Sequence, residues 1–153
     1  MKKFVLSILT IFVLAVSSYA EGKIAYIDVQ KVFTQSKAGI DLKAKLQNIA
    51  NKAKSEIQSK AATINQKDQV AMQKLQQEII QKQQELQKIQ QQSVEKFANF
   101  VRKSVNEFAN KNGYELVVDS QAVLYGKEKY DKTEDFIKYL DNKYQKEKPE
   151  FIK

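Results

Sequence analysis

The sequence predicts an α+β fold, mainly α, in which a long antiparallel helical hairpin, a coiled-coil tentacle, projects from a small β-strand oligomerisation body. Three observations predict it. Ile40 to Asn112 is a run of 73 residues with no Gly and no Pro, dominated by Gln, Lys, Ala, Leu, Ile and Glu. These are good helix formers, and the usual helix breakers stand only outside the run, at Gly39 and Gly113. Within the run, two narrow apolar stripes are separated by Asn65-Gln66-Lys67-Asp68, a string of turn-forming residues. Short β-rich segments lie on both sides, and they can pair only if the ends of the run are brought together. The boundaries that follow are 1–20 for a signal segment, 21–39 with 113–153 for the body, and 40–112 for the arm.

Met1 to Ala20 reads as an export signal. Lys2 and Lys3 give a positive start, Phe4 to Val16 is a 13-residue uncharged stretch, and Ser18-Tyr19-Ala20 places small residues where a signal peptidase reads. The apolar stretch is short of the roughly 20 residues that span a bilayer. No Cys follows, which excludes a lipid-modified N-terminus. The mature chain is expected to begin near Glu21 and to be soluble and periplasmic.

In the body, Lys23 to Asp28 reads as a strand, and Asp28 is placed to cap a short helix with Val29, Val32 and Phe33 on its apolar face. In the arm, Leu42, Leu46, Ile49, Ala53, Ile57 and Ile64 form one stripe, and Met72, Leu75, Ile79, Leu86 and Ile89 form the other. Both step by three, four or seven, the spacing of one helix face. Lys82 stands where the second stripe calls for an apolar residue, so the seam is thin. A single helix of this length would run about 110 Å, and with so few apolar residues it would need a partner. A parallel coiled-coil rod is the alternative; the hairpin, with Asp68 capping its second helix, also lets the flanking segments meet. At Val94 the phase is expected to slip to Val94, Phe97, Val101, Val105 and Phe108, where the arm enters a hydrophobic body.

Gly113 is the expected helix stop. Glu115 to Asp119 reads as a second strand and Ala122 to Gly126 as a third. Thr133 is expected to cap a last helix with Glu134 and Asp135 in its first turn and Phe136, Leu140 and Tyr144 on one face. Pro149 is expected in a frayed tail.

Composition narrows the function. There is no Cys to form a disulfide and no His to act as the commonest general base or metal ligand. No Gly-rich phosphate loop or clustered acidic pair stands out. The chain is therefore read as no enzyme and as needing no cofactor or metal. The arm holds 13 basic and 7 acidic residues, whereas the rest of the mature chain holds 11 of each, so all of its excess positive charge lies on the arm. An extended positive surface attracts acidic polypeptides, lipid phosphates or nucleic acid, and export argues against nucleic acid. Lys52, Lys54, Lys60, Lys67, Lys74 and Lys82 are the candidate client-binding residues. Outside the arm only 60 mature residues remain, too few to complete a core readily without staples, so self-association is expected. Ile24, Ile27, Leu116, Val118, Val123 and Leu124 are the candidates for a core shared between subunits, with the number of subunits left open by these arguments.

Ile-Ala-Tyr-Ile-Asp-Val-Gln-Lys-Val-Phe at 24–33, Ser-Lys-Ala-Gly at 36–39, the long Gln/Lys-rich run and Leu-Val-Val-Asp-Ser-Gln-Ala-Val-Leu-Tyr at 116–125 resemble the Skp/OmpH family of periplasmic chaperones. The resemblance covers essentially the whole mature chain; the strand segments are its specific part. It implies a homotrimer whose strands form a small barrel-like body and whose three hairpins enclose a cavity for unfolded outer-membrane proteins. It implies an ATP-independent holdase that prevents their aggregation. The arm is shorter than in the best-known members, which implies a smaller cavity. A basic lipopolysaccharide-binding cluster credited to some relatives has no residue-by-residue match here; an anionic lipid or lipopolysaccharide surface remains a candidate partner of the positive arm. The alternative function is a structural coiled-coil spacer or stalk of the cell envelope, which would call for longer, better-filled heptads and a surface anchor.

Overall fold

The computed structural model describes residues 23–65 and 67–152; the expected signal segment lies outside them. The chain opens with β1 (Lys23–Ile27) and passes through Asp28 into α1 (Val29–Gln35). Asp28 caps α1 as expected, its carboxylate accepting the Lys31 N–H at 2.8 Å. Ser36 then ends one helix and starts the next. Its N–H donates to the Val32 carbonyl, and its hydroxyl accepts the Gly39 N–H at 3.1 Å. Consequently α2 (Lys37–Thr63) begins before Gly39, not after it. Gly39 is a packing residue rather than a helix breaker: a Cβ there would overlap the backbone carbonyl of Phe33, so only glycine lets the two helices turn this tightly. Asp141 from the last helix closes the corner by accepting the Lys37 N–H at 2.8 Å.

The hairpin turns where the sequence places the turn. α3 (Gln69–Asn112) starts at Asp68, whose carboxylate accepts the N–H groups of Val70 and Ala71 at 3.1 and 3.0 Å. It ends at Gly113, in the left-handed conformation with φ 71°. At 44 residues, α3 is about 66 Å long at 1.5 Å per residue. The seam between the two helices is thin. Leu42, Ala53, Leu75, Phe97 and Phe100 are buried, whereas Leu46, Ile49, Ile57, Ile79, Leu86 and Ile89 are only half-buried. The phase slip expected at Val94 does not occur. Val94 is exposed, and Ser93 takes the seam position, four residues after Ile89 and four before Phe97. A small side chain there suits two helices that converge on the body.

β2 (Tyr114–Asp119) returns from α3 to pair with β1 in a two-stranded parallel sheet, with Ile24 opposite Leu116 and Tyr26 opposite Val118. The expected third strand over Ala122–Gly126 is absent among the described residues. Asp119 accepts the Gln121 N–H at 3.2 Å and turns the chain into a 3₁₀ turn over Ser120–Ala122. The free edge of β1 is taken instead by one bridge to Asp131 and by the Lys132 N–H, which donates to the Tyr26 carbonyl at 3.0 Å. The outer edge of β2 stays unpaired among the described residues.

α4 (Thr133–Glu147) closes the core. Glu134 and Asp135 sit in its first turn as expected, but Thr133 is not its cap. Thr133 is buried one residue inside, where its hydroxyl accepts the Asp28 N–H at 2.9 Å and donates to Asp131 at 2.6 Å. This ties α4 to the end of β1. Phe136 and Leu140 are fully buried against Ile27, Val32, Leu42, Val101 and Phe108. The tail is not frayed: Phe151 is buried among Phe97, Phe100 and Tyr144, because an aromatic side chain gains more by burial than this short segment loses by ordering.

Candidate functional site

Two surfaces stand out, one at each end of the α2–α3 hairpin's role in the chain. The first is the outer face of the sheet. Strand side chains alternate, so Ala25 and Ile27 turn inward while Ile24 and Tyr26 turn outward, and on β2 Val117 packs inward while Leu116 and Val118 do not. Outward-facing Ile24 and Leu116 are 49% and 51% exposed. The loop after β2 adds Leu124 and Tyr125, 105% and 84% exposed. Ile24, Tyr26, Val118, Val123, Tyr125 and Tyr130 line a groove of about 620 Å³ on this face. Gly126 lets the loop close against the Tyr26 ring, since a Cβ would lie 2.8 Å from its Cε1. Monomeric proteins seldom expose so continuous an apolar patch.

Five of the six predicted shared-core residues, Ile24, Leu116, Val118, Val123 and Leu124, belong to this face or its loop. Ile27 does not. It is 2% exposed within the single chain, because its strand position points to the α4 side of the sheet, and it belongs to the chain's own core. Tyr26, Tyr125 and Tyr130 belong to the face and were missing from the sequence reading. Tyr26 carried a usable signal, standing two residues after Ile24 on one strand.

The second surface is the arm. Lys52, Lys54, Lys67 and Lys74 are exposed, and among the described residues none of them forms an ion pair. Lys60 and Lys82 are placed differently. Lys60 falls three residues after Ile57 and four before Ile64, and Lys82 three after Ile79 and four before Leu86, so both occupy seam positions. Each is answered from the opposite helix: Lys60 pairs with Glu78, and Lys82 with Glu56 at 3.6 Å and with Glu85 at 3.3 Å on its own helix. The hydrogen bond and negative charge of Glu85, with Glu56 adding, hold the Lys82 ammonium above the ordinary lysine range. These two lysines are therefore engaged within the arm, not offered freely to a ligand. Sequence spacing showed Lys82 in the stripe but not the carboxylates that meet it.

At the root of the arm a second polar cluster joins α3 to α4. Lys143 is buried and pairs with Glu107 and, at 2.9 Å, with Glu147; Tyr139 donates to Glu107 at 3.0 Å. Burial alone would lower the Lys143 value, but the two carboxylates outweigh it and raise it. The Lys143 and Tyr139 hydrogen bonds hold Glu107 below the usual carboxylate range. Nearby, Tyr144 donates to Asp41 at 2.7 Å, and burial together with that bond pushes its hydroxyl up to about 12. Every member of these clusters is answered by a protein partner, which reads as structural support.

Among the described residues, no group of three or more His, Cys, Asp and Glu is gathered as a metal-ligating set, and no helix is long and apolar enough to cross a membrane. No curated protein matches the chain. A crystal structure of a Caulobacter crescentus CB15 protein assigned as an OmpH-like outer membrane chaperone shares the fold, with a TM-score of 0.61 at 14% identity over 81% of this chain and 86% of that one. The family model for outer membrane protein (OmpH-like) matches residues 23–140, from the start of β1 through both strands and the whole hairpin into α4. With the match covering most of the chain, the protein belongs to the OmpH-like outer membrane protein family.

Proposed function

We propose that the protein is a periplasmic holding chaperone that binds unfolded outer-membrane proteins and prevents their aggregation without ATP. The observation that carries this reading is the arm, a long hairpin whose helices use little apolar surface on each other and carry the chain's excess positive charge. Family membership and the description of the Caulobacter protein support the same reading. Three copies join through the apolar outer sheet faces, as a homotrimer, and hold their hairpins around a shared space. Exposed Lys52, Lys54, Lys67 and Lys74 attract acidic, unfolded chains, and half-buried aliphatic residues supply diffuse contacts. Holding then works by mass action: binding lowers the free concentration of the aggregating chain, and no chemical step is needed. A spacer or stalk would be served by a filled seam, and two lysines in the middle of this one speak against it.

The test is dilution of a urea-unfolded outer-membrane β-barrel protein into buffer with and without the purified protein, in the absence of nucleotide. Light scattering is expected to stay at baseline once one trimer is present per unfolded chain. Undiminished aggregation at a large excess of the protein would sink the reading.

A further inference from the structure

We infer that the C-terminal strap, Pro149 to Ile152, is a self-ligand: Phe151 fills an aromatic site at the arm root that an aromatic-bearing stretch of an unfolded client takes when the strap lifts. The client's identity rests on the chaperone reading above; the site and its occupancy by the strap do not.

α4 ends at Glu147, and Lys148 reverses the chain with φ 45°, a left-handed conformation that a lysine adopts only under strain. Its N–H donates to the Tyr144 carbonyl at 2.9 Å. Beyond it, among the described residues, the strap's backbone makes no hydrogen bond to the rest of the chain. Its main hold is the Phe151 ring, set edge-on to Phe97 at 5.6 Å, tilted to Phe100 at 5.7 Å and stacked on Tyr144 at 6.1 Å, with half-buried Ile152 packed beside it against the core. One buried ring and one half-buried aliphatic side chain thus oppose the ordering of a whole segment entered through a strained cap, the arrangement of a contact that opens without the fold opening.

The strap also states what the site accepts. A crevice of about 360 Å³ beside Phe151 is lined by Leu42, Ile49 and Ile152, with Lys45 and the strap's own Glu150 also on its walls. An acidic residue followed by an aromatic and then an aliphatic one is the chemistry seated there. An acidic, unfolded β-barrel chain offers such stretches repeatedly. The lifted state exposes three aromatic walls at the point where Leu42 of α2 and Phe97 of α3 enter the body, so occupancy of the site is linked to the root of the arm.

The chain contains no Trp, so Phe151→Trp labelled with 5-fluorotryptophan gives a single fluorine resonance. The probes are a synthetic peptide of residues 146–152 and a urea-unfolded outer-membrane β-barrel protein. Either probe is expected to shift the resonance from a buried to a solvent-exposed position. In parallel, Phe151→Ala is expected to bind the fluorescent peptide roughly tenfold more tightly than wild type, as removal of a competitor that leaves the site free about a tenth of the time would give. A resonance unmoved by saturating peptide, or equal peptide affinity for wild type and Phe151→Ala, would overturn the inference. Should Phe151→Ala fail to fold by circular dichroism, the fluorine measurement decides. Should the unfolded β-barrel chain not bind at all, the chaperone reading falls, and the peptide result still decides the strap.

Discussion

Lys143 is a buried ammonium answered by Glu107 and Glu147, and the stability it carries depends on their charge. Glu107 has a folded pKa below its unfolded value, so its contribution is complete above the ordinary carboxylate range, near pH 4, and is lost as pH falls through the lowered folded value. Glu107→Gln is therefore expected to melt lower than wild type at neutral pH, with the gap closing as pH drops below about 4. Melting curves recorded across that range check it, and a gap independent of pH would show that the charge of Glu107 carries no stability. This cluster was not legible in the sequence, where a lysine near the end of a polar helix reads as solvated. Phe136 and Leu140 were legible, since their spacing of four puts both on one helix face. The buried serines were not. Ser36 is buried as the cap between α1 and α2, and Ser93 and Ser104 are buried where the close approach of neighbouring helices favours a small side chain.

Along the hairpin, two apolar stretches of seam are separated by the Lys60–Glu78 and Lys82–Glu56 pairs. Exposed ion pairs contribute little, so the middle of the arm is held less firmly than its root. Replacing Lys60 and Lys82 together by Leu fills both seam positions and is expected to stabilise the hairpin by roughly 1–3 kcal/mol, on the scale of burying aliphatic side chains. Hydrogen exchange between Ala53 and Lys82 is expected to slow while exchange in the strands stays unchanged. Equal exchange rates in wild type and the double variant would mean that the seam lysines do not set how readily the arm opens. The hairpin, its Asp68 cap and its Gly113 stop were legible because helix periodicity and capping act within a few residues. The third strand was a false reading: residues 122–126 have strand-like composition, but the Asp119-capped turn over Ser120–Ala122 carries them off the sheet, and Asp131 and Lys132 take the edge of β1.

For the whole molecule, the outer sheet face separates two effects that one chain's sequence ran together. Leu116→Asp puts a charge where the single chain already leaves the side chain half-exposed, so the chain is expected to stay folded while the proposed trimer dissociates. Ile27→Asp puts the same charge into the core and is expected to unfold the chain itself. Analytical ultracentrifugation with circular dichroism distinguishes these outcomes. Wild-type protein sedimenting as a folded monomer at micromolar concentration would remove the basis for a shared sheet face. β-branched and aromatic composition identified the strands in the sequence, but it could not say which face the chain covers with its own helix; that depended on where α4 lies.

The parallel pairing of β1 with β2 also sets an order of assembly. The two strands are neighbours in space but have 86 residues between them in the chain, the entire hairpin included. Closing so long a loop from a disordered chain would cost about 4 kcal/mol in entropy before any ladder bond formed. The turn at Asp68 offers a shorter route, because zipping two adjacent helices from their tip brings Ile27 and Tyr114 together as a by-product. As the chain is made, β1 emerges first and waits, with an unpaired edge, until the last of α3 has arrived. The feature that makes the arm a reaching device therefore also makes it the jig on which its own body is built.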